Sequence, residues 1–506
     1  MSNLILKSGV DELIKSYQEE LSSQNQTLHI SDVTDAQGHQ YVDLVQEGGG
    51  VLGIALVGYT YVMEKMGIRF FSMAGTSAGA INTLLLACMG NKESEKSEKI
   101  TTELSQLNMF DFVDGKPDNS RFTKWAKKWV QKIILKPKSL SRFIGWLKLL
   151  FIALFVTTIA CFIINFFAPG ISKWIGLAAI VFLLILTGIV FLIAKRIQRI
   201  SKSGYGLSKG HTFHDWLKGI LEGCFVQQDP LKGSINSLAA FGEHFMQVPP
   251  LIVRSDERRP QNLPPHMPMI TLITCDIISK IKIEFPRMWD LYWSKPEHVH
   301  SADFVRASMS IPVFFESYQL TELRKKSNFE IWSKQVNWQN ALQQIPNTGQ
   351  FIDGGILSNF PISIFYNPHY PVPRMPTFGV RLQDGIIDAA NRSNNSLSKY
   401  IMSLFSTIRF HFDRDFITRN RAFNKAVCSI DVQGHSWLNF FMDDAEKVKL
   451  FREGAESAIH FLRNFDWELY KSERAANAAL AVEQFDNPNN LQTFPFSTAH
   501  PGQMKE

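Results

Sequence analysis

Apolar and polar positions along this chain alternate between helical and strand periods, and the order of those periods predicts the fold. Val10, Leu13, Ile14, Tyr17 and Leu21 recur at helical spacing behind Ser8, so a short amphipathic helix capped by Ser8 is expected, for packing rather than function. No basic stretch leading into an apolar run opens the chain, so no secretory signal peptide is expected. Residues 41–45 (YVDLV) form a β-type run that meets Gly48-Gly49-Gly50, and 51–67 has helical character. Residues 69–74 (RFFSMA) give a second strand, followed by GTSAG and another apolar helix. This strand–loop–helix–strand–turn–helix order predicts an α/β fold that starts with a parallel pair. Farther on come a helix near 214–222, a proline-rich loop at 258–268 and a strand in MITLITCDI. Strand signals follow at 350–352 and 377–382, then helices around 395–424 and 444–463, and a loose tail from Ala475.

The longest apolar runs interrupt that pattern. Residues 149–167 and 174–194 carry no charge and flank a break at Pro169-Gly170. Each run reaches the roughly 20 residues that a helix needs to cross a bilayer core. Lys136, Lys138, Arg142 and Lys148 precede the pair, Lys195, Arg196, Arg199 and Lys202 follow it, and only Lys173 lies between. The expectation is a transmembrane hairpin with both ends, and hence both termini, cytoplasmic. Two buried core helices, or a re-entrant hairpin, are the alternatives. Upstream, Phe122, Trp125, Trp129 and Ile133 share one helical face and Lys124, Lys127, Lys128 and Lys132 surround the other. Such a helix suits either a membrane interface or a solvated basic surface.

Composition narrows the function classes. The chain has 506 residues, room for about three domains or one large domain with additions. It is 45% hydrophobic and 20% charged, which excludes a mainly disordered chain. A net charge of +6 is too mild to imply nucleic acid as a partner. Cys88, Cys161, Cys224, Cys275 and Cys428 lie far apart with no CxxC, so neither a disulfide scaffold nor a structural zinc site is expected.

Three elements carry chemistry. Gly75-Thr76-Ser77-Ala78-Gly79 is a G-x-S-x-G whose glycines let a strand and helix pack closely while the Ser77 hydroxyl projects. Gly48-Gly49-Gly50-Val51-Leu52-Gly53 presents bare backbone N–H groups that suit an anion, and next to Ser77 they would form an oxyanion hole. It lacks the spacing and the Lys-Ser/Thr ending of nucleotide loops. Asp353-Gly354-Gly355 places an aspartate at a glycine turn; alone it reads as a structural turn, and as a partner of Ser77 it would be the base.

In this order, GGGxxG, GTSAG and DGG resemble the patatin-like phospholipase family. The likeness spans roughly 41–90 and 207–467. HSADFVRASMSIPVFF (300–315) resembles the family's segment that packs near the active site, SKGHTFHDWL its post-lid helix and LNFFMDDAEKVKLFREGAESAIHFL its C-terminal helix region. The resemblance implies a three-layer sandwich on a central, mostly parallel sheet, and a Ser77–Asp353 dyad without histidine. It further implies an oxyanion hole from Gly48, Gly49, Gly50 and Ala78, with Gly53, Gly75, Gly79, Gly354 and Gly355 as motif glycines, and no cofactor or metal. Leu52 departs from the family, which usually has Arg or Lys there, so charge assistance from that position is lost. The implied layout is an N-terminal helix and linker (1–40), catalytic parts (41–91 and 207–470), a lid-region insertion (92–206) with the hairpin, and a flexible tail (471–506). The implied substrate is a membrane phospholipid or lysophospholipid, presented by the bilayer.

Two rival readings remain at this point. A Ser–His–Asp esterase would recruit His369, His411, His435 or His460. A non-catalytic binding or effector protein could use the same fold as a membrane-anchored scaffold. His211, His214 and Asp215 open a helix but lack the further ligands that a metal would need.

Overall fold

The computed structural model describes residues 3–107, 204–224, 233–260, 265–323, 329–336, 345–367, 369–383, 397–440 and 442–486, with single helical positions between 145 and 195. The chain divides into two compact units. One comprises Met1–Met109, Thr212–Ile311 and Tyr318–Glu506; the other comprises Phe110–His211 and Pro312–Ser317.

The described strands are β1 (Val33–Thr34), β2 (Gln40–Gln46), β3 (Ile68–Thr76), β4 (Gly206–Ser208), β5 (Ile252–Val253), β6 (Ile270–Asp276), β7 (Ile281–Phe285), β8 (Val313–Phe315), β9 (Tyr318–Thr321), β10 (Thr348–Asp353), β11 (Thr377–Gln383) and β12 (Val427–Asp431). The helices are α1 (Asn3–Ser8), α2 (Val10–Ser23), α3 (Gly53–Lys65), α4 (Ala78–Cys88), α5 (Ser97–Gln106), α6 (His211–Gly223), α7 (Leu238–Phe245), α8 (Ser301–Ser308), α9 (Phe329–Val336), α10 (Leu397–Arg419), α11 (Asp444–Asn464) and α12 (Trp467–Asp486).

The larger unit is built on a sheet ordered β12-β11-β2-β3-β6-β10-β9. From β12 to β6 every neighbour is parallel. Beyond β6 the pairing turns antiparallel, through β7, β10 and β9. The sheet is therefore mixed, not mostly parallel as expected. β7 alternates apolar and charged residues (IKIEF), the pattern of a half-covered antiparallel strand, whereas all nine residues of β3 are buried, as a doubly covered central strand requires.

Two crossings fix the elements around the site. β11 lies along β2 with Thr377 opposite Asp43 and Val380 opposite Gln46. Helices α3 and α11 meet at Gly58 and Gly454, where a Cβ on Gly58 would overlap the Phe451 carbonyl and one on Gly454 the Ala55 carbonyl. The two backbones touch there, and no side chain larger than hydrogen fits.

At the N-terminus, Ser8 ends α1 instead of capping α2. Its hydroxyl donates to the Ile5 carbonyl at 2.8 Å, and Gly9, at φ 63°, makes the turn into α2. Val10, Ile14 and Tyr17 are buried, and Arg463 of α11 reaches Glu20. The expected tail also begins later: α12 runs to Asp486, and Lys471 and Arg474 within it are buried. Its first part (SERAANAAL) is rich in good helix formers, and this outweighs the polar composition that follows. Residues 92–107 belong to the larger unit, where the Lys96 and Ser97 amides donate to the buried Glu64 carboxylate at 2.8 and 2.7 Å.

In the smaller unit β4 pairs in parallel with β8. Most of 149–167 and 174–194, the basic segment before them and the tail beyond Asp486 lie outside the described residues. Among the described positions, Leu149, Ile152, Val156, Ile159 and Ile163 are helical, spaced by three and four, and exposed; Val181, Leu184 and Phe191 are likewise helical and exposed. No helix among the described residues is long and apolar enough to cross a membrane.

Candidate active site

Ser77 stands on the sharp turn between β3 and α4, at φ 52° and ψ −117°. A non-glycine residue in this region is strained, and such strain is held only where the surroundings over-determine it. Here the glycines on either side do so. A Cβ on Gly75 would overlap the backbone of Gly79, and one on Gly79 the Gln46 carbonyl. The turn can therefore close tightly against the end of β2. The Ser77 amide donates to Ser308 Oγ at 2.9 Å, and that hydroxyl donates to the Ile273 carbonyl at 2.6 Å. Thr76 Oγ1 donates to the Ser358 carbonyl at 3.0 Å.

Asp353 arrives from β10. Its register opposite Thr274 of β6, with Thr76 opposite Ile273, brings the ends of β3 and β10 to one place. Ser77 and Asp353 are both buried, and the Ser77 side chain lies near enough to the Asp353 carboxylate to favour its ionised form. The Gly355 amide donates to Asp353 Oδ1 at 2.7 Å, and the Asp353 amide donates to the Ser310 carbonyl at 2.9 Å. Burial raises the Asp353 pKa from its ordinary value, opposed by the Ser77 hydroxyl, the charge of Arg409 and the Gly355 amide. A buried carboxylate of this kind is a stronger base than an exposed one.

The glycine loop lies against this pair. A Cβ on Gly48 would stand 3.1 Å from Ser77 Cβ. The Gly48 amide is already committed, donating to the Asn359 carbonyl at 3.0 Å. Among the described residues the Gly49 and Gly50 amides have no protein acceptor, which leaves them available to an oxyanion. Gly50, at φ 57°, packs on the Trp437 carbonyl, which accepts the Val51 amide at 3.1 Å. Gly53 starts α3 and packs on Ala78, the residue after Ser77. Gly354 packs on the Ile273 carbonyl.

Several residues here carried no sequence signal of their own. Asn359 Nδ2 donates to Glu47 Oε1 at 3.0 Å and to the Gly48 carbonyl at 3.1 Å. Arg409 of α10 donates to Asn359 Oδ1 at 2.8 Å. Glu47 also accepts the Leu382 amide at 2.7 Å; burial raises its pKa, opposed by Arg381, that amide, Asn359 and Arg409. Glu47 and Asn359 do lie beside the glycine motifs, directly before GGG and four residues after DGG, where a polar residue flanking a glycine turn was the available signal.

The four downstream histidines lie elsewhere. His369, His411 and His460 are exposed, and His435 is held by Glu446 and Glu453 at 3.2 and 3.3 Å. His214 pairs with Asp303 at 2.8 Å.

A family model described as patatin-like phospholipase matches residues 44–366. A curated relative, the uncharacterized protein YqhO of Bacillus subtilis (strain 168), is 23% identical over 429 residues, which cover 84% of this chain and 100% of that protein. Among solved structures, VipD from Legionella pneumophila aligns with 87% of this chain and 71% of its own at 12% identity, with a TM-score of 0.36.

Proposed function

The chain belongs to the patatin-like phospholipase family, and from that premise we propose that it hydrolyses lipid acyl esters through a Ser77–Asp353 dyad. The observation that carries the reading is Ser77, strained on its turn with its hydroxyl beside the buried Asp353 carboxylate. In the first half-reaction Ser77 Oγ attacks the ester carbonyl and its proton passes to Asp353. The carbonyl oxygen becomes an oxyanion, taken up by the Gly49 and Gly50 amides and that of Ala78 at the start of α4. Collapse of this intermediate breaks the ester bond, and Asp353 returns the proton to the leaving alcohol. Water then attacks the acyl-enzyme and its proton goes to Asp353; collapse breaks the bond to Ser77 Oγ, Asp353 returns the proton to that oxygen, and the fatty acid leaves.

The Asp353 environment fixes a pH dependence. The base must be ionised, so activity is lost as pH falls through its raised pKa. The acid limb of kcat/KM for a short p-nitrophenyl ester is expected above the pH that an ordinary aspartate would set. Asp353→Asn is expected to remove most of that activity and to weaken labelling by a fluorophosphonate. A fully active Asp353→Asn protein would sink the dyad and return the case to a histidine base.

The substrate reading is a phospholipid or lysophospholipid held in a bilayer, with residues 149–167 and 174–194 crossing it as a hairpin and the catalytic unit and both termini on the cytoplasmic side. Its support is the uncharged length of both runs, their basic flanks and the exposed apolar stripe from Leu149 to Ile163. After alkaline carbonate extraction the full chain is expected in the membrane pellet, and a chain lacking 149–194 in the supernatant with its labelling retained. Wild-type protein extracted by carbonate would remove the hairpin from the proposal.

A further inference from the structure

The glycine loop has no charge of its own, and residues 48–53 offer only backbone and apolar side chains. A cation nevertheless reaches it from more than three hundred residues away. We propose that Arg409 is the positioning residue of the oxyanion loop, bracing it through Asn359 and Trp437. This rests on the Ser77–Asp353 reading above.

The argument is geometric. Asn359 Oδ1, which accepts from Arg409 Nη2 at 2.8 Å, lies 2.6 Å from where a Cβ would stand on Gly48 and equally close to that position on Gly355. It therefore occupies the space between the glycine loop and the turn after Asp353. The guanidinium carbon lies 5.9 Å from the centre of the Trp437 ring, and the Trp437 carbonyl packs on Gly50 and accepts the Val51 amide. One arginine thus reaches both supports of the loop that carries the Gly49 and Gly50 amides. Its own helix is fixed one turn later: Asp413 accepts Ser358 Oγ at 2.9 Å and the Phe360 amide at 2.8 Å. Arg409 and Asp413 together grip the 358–360 strip from one face of α10.

The electrostatics agree with the geometry. The charged groups around the dyad are Asp353 on β10, Glu47 at the end of β2, Arg381 on β11, and Arg409 and Asp413 on α10. Arg381 acts on Glu47 and Asp413, whereas among the cations Arg409 is the chief one acting on Asp353. A fixed cation at this place would also oppose the cost of the oxyanion, which appears only as the bond forms.

The test uses the full-length protein and the short p-nitrophenyl ester, with Ser77→Ala as reference. Arg409→Met is expected to lower kcat by about tenfold or more with KM little changed, because the lost interaction matters in the transition state. It is also expected to move the acid limb to higher pH, since Asp353 loses the charge that favours its ionised form. Arg409→Lys keeps a charge without the planar fork; it is expected to hold the limb at the wild-type pH and to recover only part of kcat. Wild-type kcat and limb in Arg409→Met would overturn the proposal. So would equal losses in both variants with the limb unmoved, the mark of a merely structural role. Should Arg409→Met fail to fold, Arg409→Gln against Arg409→Lys makes the same comparison. A Ser77→Ala protein as active as wild type would end the dyad reading itself; a dead Ser77→Ala beside a fully active Arg409→Met would end only the role of Arg409.

Discussion

Ser77→Ala is expected to abolish fluorophosphonate labelling and to lower ester hydrolysis by on the order of 10⁴-fold or more, with the fold intact. The size follows from the role: without the hydroxyl, the acyl-enzyme route is closed and only direct attack by water remains. The same position should separate function from stability. Ser77 holds a backbone conformation that costs a side-chain-bearing residue about 1–3 kcal/mol. Ser77→Gly removes that strain and adds chain entropy to the unfolded state, so a net gain of about 1 kcal/mol is expected in urea unfolding. An inactive protein more stable than its parent would mark the turn as built for chemistry. Equal stability losses in Ser77→Gly and Ser77→Ala would mean that the hydroxyl serves the fold, and retained labelling in either would place the nucleophile elsewhere.

Gly454→Ala is expected to be the most damaging single methyl in the chain, at about 3 kcal/mol or more. The new carbon would overlap the Ala55 carbonyl, a backbone atom that cannot rotate away, so α3 and α11 must separate. Gly242→Ala is the control. It lies in α7 with open space where its Cβ would stand, and should be neutral or slightly stabilising. If both variants unfold at the same denaturant concentration, the close crossing is not what holds the two helices. Because α3 starts directly after the glycine loop, Gly454→Ala protein that still folds should also lose activity, through displacement of Gly49 and Gly50.

The part of the site that was legible in the sequence is the part made by neighbours along the chain. Gly75, Ser77 and Gly79 announce a strand–turn–helix because the constraint is local: small residues on either side of a nucleophile. The strand runs at β2, β3, β6 and β10 were readable for the same reason. The antiparallel side of the sheet was not, because β7 and β9 are short and half polar, and their direction is decided by pairing. Ser308, Arg409 and Trp437 were hidden for a stronger reason. Each acts across a separation of tens to hundreds of residues, so no window of sequence contains both partners of the contact. Ser8 was misread because α1 already occupies the residues before it, and that assignment of the chain competes with the cap.

The pairing of β11 with β2 has a consequence for how the molecule is made. The strand that carries the glycine loop has β11 along its flank, and the helix after that loop leans on α11; both partners are translated long after Ser77. The matched stretch ends at residue 366, before either of them. On the ribosome, a chain that has already emitted Ser77 and Asp353 still has an open sheet edge at β2 and an unbraced loop. The proposed nucleophile and base would exist before the surface that is to stabilise the reaction's charge. On the proposed mechanism, hydrolytic competence would therefore wait for β11 to close the edge of β2 and for α11 to brace the helix after the loop.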